Sequence, residues 1–236
     1  MAHLRPTWIL AAALALATPG QGGNLQLQPT SVTLQPGEQE ATVWIDNAGP
    51  AALDARARVF HWQQVDGEER LAPTPQVAVS PPIISVPPGG RQRLRIVPQS
   101  IPRDGREHGY RLIVDQLPGA PGSPAVRYSL PLFAPATTTG RPQLTARLEP
   151  MDGRRARLRI DNHGRRHARL VELSHLDADG RRQVLVPDLA GYVLAGRYKY
   201  WTLPGPAGRF DRGRFEALVD GKPVPLPVET SLLSVR

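Results

Sequence analysis

Short runs in which apolar and polar residues alternate recur along most of this chain, with proline and glycine between them. Clear examples are Leu25–Gln28, residues 41–45 and residues 91–97, where the arginines take one face of the run. A period of two residues is that of a β-strand with one buried face. The 26 prolines and 22 glycines divide these runs as turns do in all-β proteins. The first half therefore predicts about seven short strands, an all-β fold class and an immunoglobulin-like (Ig-like) sandwich.

Two turns carry more specific signals. Asp66-Gly67 lies between two alternating runs, which is the sequence pattern of a tight β-hairpin. Ser80-Pro81-Pro82 contains two X-Pro bonds, where a cis peptide is compatible with the sequence.

An internal repeat predicts a second sandwich. Residues 45–49, Ile-Asp-Asn-Ala-Gly, return 115 residues later as residues 160–164, Ile-Asp-Asn-His-Gly. In both copies an alternating strand leads into the Asp-Asn turn. An offset of this size equals the length of one Ig-like domain, and the 236 residues suffice for two.

A step in charge indicates where the two domains meet. Residues 24–136 contain ten acidic residues and ten arginines, whereas residues 137–236 carry a net charge of +7. The segment between them is small, polar and flanked by prolines, as linkers often are. We predict an N-terminal domain over residues 24–136, a linker over residues 137–141 and a C-terminal domain over residues 142–236.

Residues 1–23 have the features of a secretory signal peptide. Arg5 precedes the run of ten apolar residues at 8–17, and Ala15-Leu16-Ala17 offers a small-x-small cleavage pattern. Ten residues are too few to span a bilayer, which takes about 20. The alternative is a buried core helix, but a run at the extreme N-terminus behind a base favours a signal. We expect an exported chain with no integral membrane segment after cleavage.

The charge of the chain raises the question of nucleic acid. The net charge is +8, yet export argues against DNA or RNA as a partner. The period of two places Arg155, Arg157 and Arg159 on one strand face without interleaved aromatic residues. This pattern is typical of a solvated face. Contact with an acidic partner or with membrane headgroups is the alternative.

The sequence offers no signature of catalysis or metal binding. It has no cysteine, which excludes thiolate ligands, a Cys nucleophile and disulfides. His163 and His167 would share a face on a helix, but residues 162–166 have the composition of a turn and no third ligand lies at suitable spacing. Serine-nucleophile and phosphate-loop motifs are also missing. We predict a protein that is not an enzyme, with no catalytic residues, no metal and no cofactor.

Six longer stretches carry the most specific signal: residues 59–68, 80–92, 110–118, 127–133, 166–170 and 191–196. In them the chain resembles the periplasmic chaperones that assemble pili by the chaperone–usher pathway, most closely the archaic branch associated with spore-coat-U-like pilins. The resemblance implies two Ig-like β-sandwich domains in a boomerang arrangement. It also implies location in the periplasm, pilin subunits as partners and delivery to an outer-membrane usher.

The resemblance assigns a role to the last strand of the first domain. In this family the chaperone lends that strand to a pilin that lacks its own final strand, which is a form of β-augmentation. Alternation places Val126, Tyr128, Leu130 and Leu132 on one face, and these become the expected donor-strand residues. The alternative is that this face packs into the core of its own domain. The preceding loop, residues 118–124, is short and has no large apolar side chain, so the number of pilin pockets filled stays open.

The resemblance also implies an anchor for the C-terminal carboxylate of the pilin. Better-known members use a base in the first strand and a lysine in the last, but this chain has no base at the matching residues 28–31 and 129–131. The archaic branch uses a base in the strand before the last, and Arg111 occupies that position. A guanidinium suits bidentate capture of a carboxylate. An ordinary structural salt bridge is the alternative for Arg111, and Arg127 is the second candidate anchor.

A structural or adhesive protein, such as a pilin or an Ig-like surface module, is the rival interpretation. A pilin would lack its final strand and carry an N-terminal donor extension. This chain begins a strand directly after the predicted signal and has the patterns of two complete sandwiches, which favours the chaperone.

Overall fold

The computed structural model describes residues 25–118, 126–136 and 140–228. The predicted signal peptide, most of the loop before the last strand of the first domain and most of the predicted linker lie outside these residues. Within the described ranges the chain is almost entirely β-structure, with a single 3-10 helix at Ala207–Phe210. No helix in these ranges is long and apolar enough to cross a membrane. The predicted all-β fold class is confirmed.

Ten strands from the first part of the chain form two sheets around one core. They are β1 (Leu25–Gln28), β2 (Val32–Thr33), β3 (Ala41–Asn47), β4 (Leu53–Val65), β5 (Glu68–Pro73), β6 (Val77–Ser80), β7 (Ile83–Val86), β8 (Arg91–Pro98), β9 (His108–Gln116) and β10 (Arg127–Ala134). One sheet has the order β1-β3-β8-β6 and the other has the order β2-β10-β9-β4-β5, with β7 also paired to β4. All pairs are antiparallel except the short parallel pair of β2 with β10.

The strand faces follow the sequence pattern. In β1 the leucines are buried and the glutamines are exposed. In β8 Leu94 and Ile96 are fully buried, whereas the three arginines point outward. Burial of each such apolar side chain contributes about 1.5–3 kcal/mol to folding. The apolar residues of the alternating pattern are therefore the main source of stability of this sandwich.

Seven strands from the second part of the chain form a second sandwich. They are β11 (Leu144–Asp152), β12 (Arg155–Asn162), β13 (Ala168–Leu176), β14 (Arg182–Val193), β15 (Tyr198–Pro204), β16 (Arg214–Val219) and β17 (Lys222–Leu226). Its sheets have the orders β11-β12-β15 and β14-β13-β16-β17. Ala156, Leu158 and Ile160 on β12 are fully buried, as the period of two predicts. In the described ranges, strands pair only within their own sandwich.

The internal repeat is a buried asparagine turn that occurs once in each sandwich. The Asn47 side-chain amide donates to the carbonyls of Ala51 and Val86 at 2.8 and 3.0 Å, and its oxygen accepts from the Gly49 N–H. The Asn162 amide donates to the carbonyls of Arg166 and Val193 at 2.8 and 3.0 Å. One side chain thereby ties each turn to a distant strand, which explains why the motif repeats.

We expect the Asn162→Ala variant to lose about 2 kcal/mol of unfolding free energy, because one buried and one partly buried carbonyl lose their donor. Denaturant unfolding measures the change. Gln26→Ala, which removes an exposed amide from β1, is the control and should stay within about 0.5 kcal/mol of the parent chain. Equal stability of the two variants would contradict the role of this turn.

The predicted hairpin and one cis proline are present. Asp66 and Gly67 have φ values of 54° and 77°, as a tight turn between β4 and β5 requires. A Cβ atom at Gly67 would overlap the ring of Tyr200 in the second sandwich, so the turn needs glycine on two grounds. The Ser80–Pro81 peptide bond is cis.

Candidate functional site

A strand edge with few partners lies along β10 of the first sandwich. This strand pairs with β9 from Arg127 to Ala134, but on its other side it meets β2 only at Leu132 and Phe133. Residues 127–131 therefore have no strand neighbour on the outer side in the described part of the chain. We call this outer side of residues 127–131 the free edge. Exposed strand edges are templates for pairing with another chain.

The hydrogen bonds at both ends of β10 show which residues present their backbone to the free edge. The Gln116 N–H donates to the Val126 carbonyl at 2.9 Å, and the Leu34 N–H donates to the Phe133 carbonyl at 2.8 Å. Because the direction alternates along a strand, Arg127, Ser129 and Pro131 turn their backbone groups outward. Proline has no N–H to donate, which suits a position where the domain's own ladder needs none.

The four predicted donor-strand side chains lie on the core side of β10. Leu132 is fully buried and Leu130 is nearly so. Tyr128 is half-buried, and its hydroxyl donates to the Leu25 carbonyl at 2.6 Å. Val126 is also half-buried. The free chain thus uses Leu130 and Leu132 in its own core, as the alternative interpretation held, while Val126 and Tyr128 retain accessible surface.

Arg111 lies on β9 directly opposite Pro131 and faces away from the core of the sandwich. Its neighbours Tyr110 and Leu112 are fully buried, which confirms the predicted alternation. Its guanidinium carbon lies 3.7 Å from the centre of the Trp62 ring and 5.6 Å from that of Tyr192. Burial lowers the pKa of Arg111 from its ordinary value, and Glu69 partly offsets this effect. An arginine guanidinium stays charged in proteins.

The guanidinium of Arg111 retains unused donors. Its nearest carboxylate, Glu69, lies 3.9 Å away, which is the outer limit of an ion pair. Within the described ranges, none of the hydrogen bonds involves this guanidinium, although its side chain is only 15% exposed. A planar group with spare N–H donors in a partly desolvated place is suited to bind a carboxylate through two hydrogen bonds.

Arg127 is engaged differently. Its side chain is 65% exposed and bonds to Asp115 at 2.5 Å, while Arg58 bonds to the same carboxylate at 2.7 Å. Burial alone would raise the pKa of Asp115, but the hydrogen bonds from Arg127 and Arg58 outweigh it and lower the pKa. Arg127 therefore already has a carboxylate partner, which favours Arg111 between the two candidate anchors.

The lowered pKa of Asp115 predicts a pH effect on stability. A carboxyl whose pKa is depressed by folding stabilises the fold above its unfolded pKa and loses that contribution as the pH falls through the folded value. Asp115→Asn should thus cost up to about 1 kcal/mol of unfolding free energy at neutral pH, and this cost should shrink as the pH falls through the lowered pKa of Asp115. Urea unfolding at neutral and at acidic pH measures this change. Asp54→Asn, at an exposed aspartate of β4, is the control and should change the unfolding free energy at neutral pH by no more than about 0.5 kcal/mol.

Residues 24–134 match the protein family described as pili and flagellar-assembly chaperone, PapD N-terminal domain. The match spans the first sandwich from β1 to β10. Among curated proteins, no sequence matches the chain.

Solved chaperone structures share the fold of most of the chain. A chain of the CsuC–CsuE chaperone–tip adhesion subunit pre-assembly complex, from archaic chaperone–usher Csu pili of Acinetobacter baumannii, has 23% identity and a TM-score of 0.74, over 88% of this chain and 100% of its own. The CupB2 chaperone of Pseudomonas aeruginosa has 19% identity and a TM-score of 0.56, over 85% and 97%. A chain of the Salmonella enterica complex of SafA pilin with the SafB chaperone has 18% and 0.59, over 86% and 95%. The likeness shows the two-domain chaperone fold.

An aromatic junction connects the two sandwiches close to β10. Trp62 and Phe133 of the first domain pack against Tyr192 and Leu194 of the second as a separate buried cluster. The Gln64 amide donates to the Tyr192 carbonyl at 2.7 Å and accepts from the Leu194 N–H at 2.9 Å. The junction fixes the ring of Trp62 on which Arg111 is stacked.

A second polar contact crosses the junction between the two sandwiches. The buried Glu107 carboxylate accepts hydrogen bonds from the His167 backbone N–H at 2.8 Å and lies 2.6 Å from His167 Nδ1. The His167 ring stacks on Phe133, with centroids 3.6 Å apart and planes 6° from parallel. His167 is thus a junction residue, and His163 contacts Thr145 instead. In the described ranges, no group of three or more potential metal ligands occurs.

The residues that form this junction have no recognisable signature in the sequence. Gln64 stands out only as a polar residue beside Gln63 in an otherwise apolar run, and nothing near it in sequence points to Tyr192. Glu107 and His167 lie 60 residues apart and belong to different domains. Contacts of this kind have no local pattern.

Proposed function

We propose that this chain is a periplasmic chaperone that holds pilin subunits by donor-strand complementation and delivers them to an outer-membrane usher. The main support for this function is the free edge of β10. It lies next to Arg111, a partly buried residue whose guanidinium N–H donors make no hydrogen bond within the described ranges. Edge pairing supplies main-chain hydrogen bonds that do not depend on the sequence of the partner strand. Arg111 would fix the register by binding the terminal carboxylate of that strand.

The donor strand contributes through its backbone and through its core-side face. A strand added beside β10 extends the sheet, so that its side chains come next to those of Val126, Tyr128, Leu130 and Leu132. Val126 and Tyr128 offer accessible apolar surface to the added strand. Side chains of that strand that pack beside Leu130 and Leu132 would extend the existing core. Capture of this kind needs neither a cofactor nor covalent chemistry.

The domain limits proposed from the sequence suit this function. We propose residues 24–136 as the pilin-binding domain, 137–141 as the linker and 142–236 as the second domain. The separate strand pairing of the two sandwiches supports this division. The first core is closed by its own β10, which argues against the rival interpretation as a pilin with an open groove.

Co-expression with a pilin subunit from the same gene neighbourhood, followed by size-exclusion chromatography of the periplasmic fraction, tests the proposal. The expected result is a 1:1 complex together with a pilin that no longer aggregates. Polymerisation of the chain with itself would favour a structural protein. A pilin that aggregates equally with and without the chain would overturn the chaperone role.

A further inference from the structure

A polar cleft of about 320 Å³ lies between the two domains, and none of the described residues that line it belongs to β10. The first domain contributes Arg106, which precedes β9. The second domain contributes residues of β12, among them Arg159 and Asp161, and residues 196–198, where β15 begins. We call this space the junction cleft. It brings basic side chains of both domains to one place.

Two arginines of the junction cleft have unused donors. Arg106 belongs to the first domain and Arg197 to the second, and both are exposed. In the part of the chain that the structure describes, neither guanidinium donates a hydrogen bond or takes part in an ion pair. Each therefore has all of its N–H donors available to a ligand.

Among the described residues that line the junction cleft, the single carboxylate is already paired. Asp161 accepts hydrogen bonds from Nε and Nη2 of Arg159 at 2.9 and 2.6 Å, and its side chain is only 9% exposed. The Arg159 guanidinium also stacks on the ring of Tyr198, 3.7 Å from its centre. Asp161 thus offsets Arg159, which leaves Arg106 and Arg197 as two uncompensated positive charges.

Backbone contacts hold both arginines at the junction cleft. A Cβ atom at Gly196 would overlap Nη1 of Arg106, so the guanidinium of the first domain is packed directly on the backbone of the second. The Arg197 N–H donates to the Leu194 carbonyl at 3.1 Å, and its carbonyl accepts from the Asn162 N–H at 2.8 Å. Groups that are already positioned lose less conformational entropy when a ligand binds.

We propose that the junction cleft binds a phosphate group, free or at the head of a lipid, between Arg106 and Arg197. Two unpaired guanidinium groups match the charge of about −1.5 to −2 that a phosphate monoester carries near neutral pH. A guanidinium binds phosphate oxygens through two parallel N–H donors. A single carboxylate would leave one of the two charges uncompensated.

This inference goes beyond the proposed function and does not depend on it. The lining of the junction cleft includes neither Arg111 nor the donor strand, so a ligand there would not compete with a pilin for either. A bound phosphate would instead contact both domains at once.

Two merely solvated arginines predict different behaviour. Exposed cations attract every anion according to its charge, and salt screens this attraction. Any other exposed arginine of the chain would then contribute as much as Arg106 or Arg197. A built site predicts that both of these arginines are needed and that phosphate binds in preference to a carboxylate.

Isothermal titration calorimetry of the whole chain with inorganic phosphate, at constant ionic strength, separates the two cases. Arg106→Gln and Arg197→Gln are the test variants. Arg181→Gln is the matched control, because Arg181 lies in the turn between β13 and β14 and its side chain is 83% exposed. Arg111→Ala is a second control, since the unused donors of Arg111 could also take an anion. Acetate serves as the carboxylate probe.

We expect a Kd for phosphate below about 1 mM, and at least about tenfold weaker binding in each test variant, as loss of one charged hydrogen bond produces. Both controls should bind phosphate as the parent chain does, and acetate should bind at least about tenfold more weakly. Phosphate should also raise the thermal midpoint of the parent chain but not of the test variants, because it binds the native state.

Flotation with phosphatidylcholine vesicles, with and without phosphatidic acid, identifies the source of the phosphate group. Binding of free phosphate supports a soluble ligand. Binding only to the phosphatidic acid vesicles, lost in Arg106→Gln and in Arg197→Gln, supports a lipid headgroup.

Equal phosphate affinity in the parent chain and in both test variants would overturn the inference, and so would loss of binding in Arg111→Ala alone. Acetate that binds as tightly as phosphate would do the same, as would a parent chain that binds neither free phosphate nor the vesicles. Tighter binding of a tetraglutamate peptide than of phosphate would assign the junction cleft to an acidic protein segment instead. Pilin capture should persist in Arg106→Gln and Arg197→Gln, so these outcomes leave the proposed function to its own test.

Discussion

Pilin capture should fall at least about 100-fold in the Arg111→Ala variant while the two-domain fold persists. The guanidinium has unused donors beside the free edge, and two charged hydrogen bonds to a carboxylate together contribute about 3–6 kcal/mol. Loss of its contact with Trp62 costs the fold only about 1–2 kcal/mol. Competition between variant and parent chain for a limiting amount of co-expressed pilin measures the loss.

Two further variants make this prediction specific. Arg111→Lys keeps the charge but not the paired donors, so it should restore only part of the capture. Arg127→Ala should capture pilin almost normally, because Arg127 is exposed and already paired with Asp115. Normal co-purification of pilin with Arg111→Ala would rule out Arg111 as the anchor. Loss of capture in Arg127→Ala alone would transfer that role to Arg127.

The Ser129→Pro variant should lose at least about tenfold in pilin affinity without a change in stability beyond about 1 kcal/mol. The Ser129 N–H points to the free edge, so proline removes a donor from the partner strand and places its ring against that strand. The pairing of β10 with β9 does not use this N–H. Pro131, two residues further on, already occupies an equivalent outward position.

Ser129→Ala is the control for the proline variant. It keeps the backbone donor and removes only an exposed hydroxyl, so its affinity for pilin should equal that of the parent chain. Equal capture by Ser129→Pro and Ser129→Ala would mean that the pilin strand does not pair along β10. Denaturant unfolding of both variants verifies that the fold is retained.

The local features of the fold could be predicted because each depends on neighbours in sequence. Alternation identified the buried faces of β1, β8 and β12, and the repeated Asp-Asn-x-Gly segment marked the same turn in both sandwiches. The outward direction of Arg111 followed from its apolar neighbours. Strand period and turn chemistry act over a few residues, so the sequence displays them directly.

The candidate site could be predicted only in part, because half of it comes from the other domain. His167 lies 60 residues from Glu107, and Tyr192 lies 128 residues from Gln64. Side chains that meet across a domain junction share no period or spacing in the sequence. Alternation predicted which side chains of β10 share a face, but the burial of Leu130 and Leu132 in the core of the first sandwich was visible only in the structure.

The arginine-rich strand β12 is a further case in which contacts with another strand could not be predicted from the sequence. Its sequence has no interleaved aromatic residue, but the neighbouring strand β15 supplies two. The guanidinium of Arg157 lies 4.1 Å from the Tyr200 ring centre and that of Arg159 lies 3.7 Å from the Tyr198 ring centre. Both arginines also pair with carboxylates, Glu149 and Asp161. The face is therefore a network of paired and stacked charges, more ordered than a freely solvated strand.

Amide hydrogen exchange at Ser129, with and without bound pilin, tests the central claim most directly. In the free chain this N–H faces the free edge and should exchange quickly. If β10 donates its edge to the pilin, we expect at least about 100-fold slower exchange in the complex, since the N–H then enters a strand ladder. A stable complex in which the Ser129 amide exchanges as fast as in the free chain would contradict strand donation.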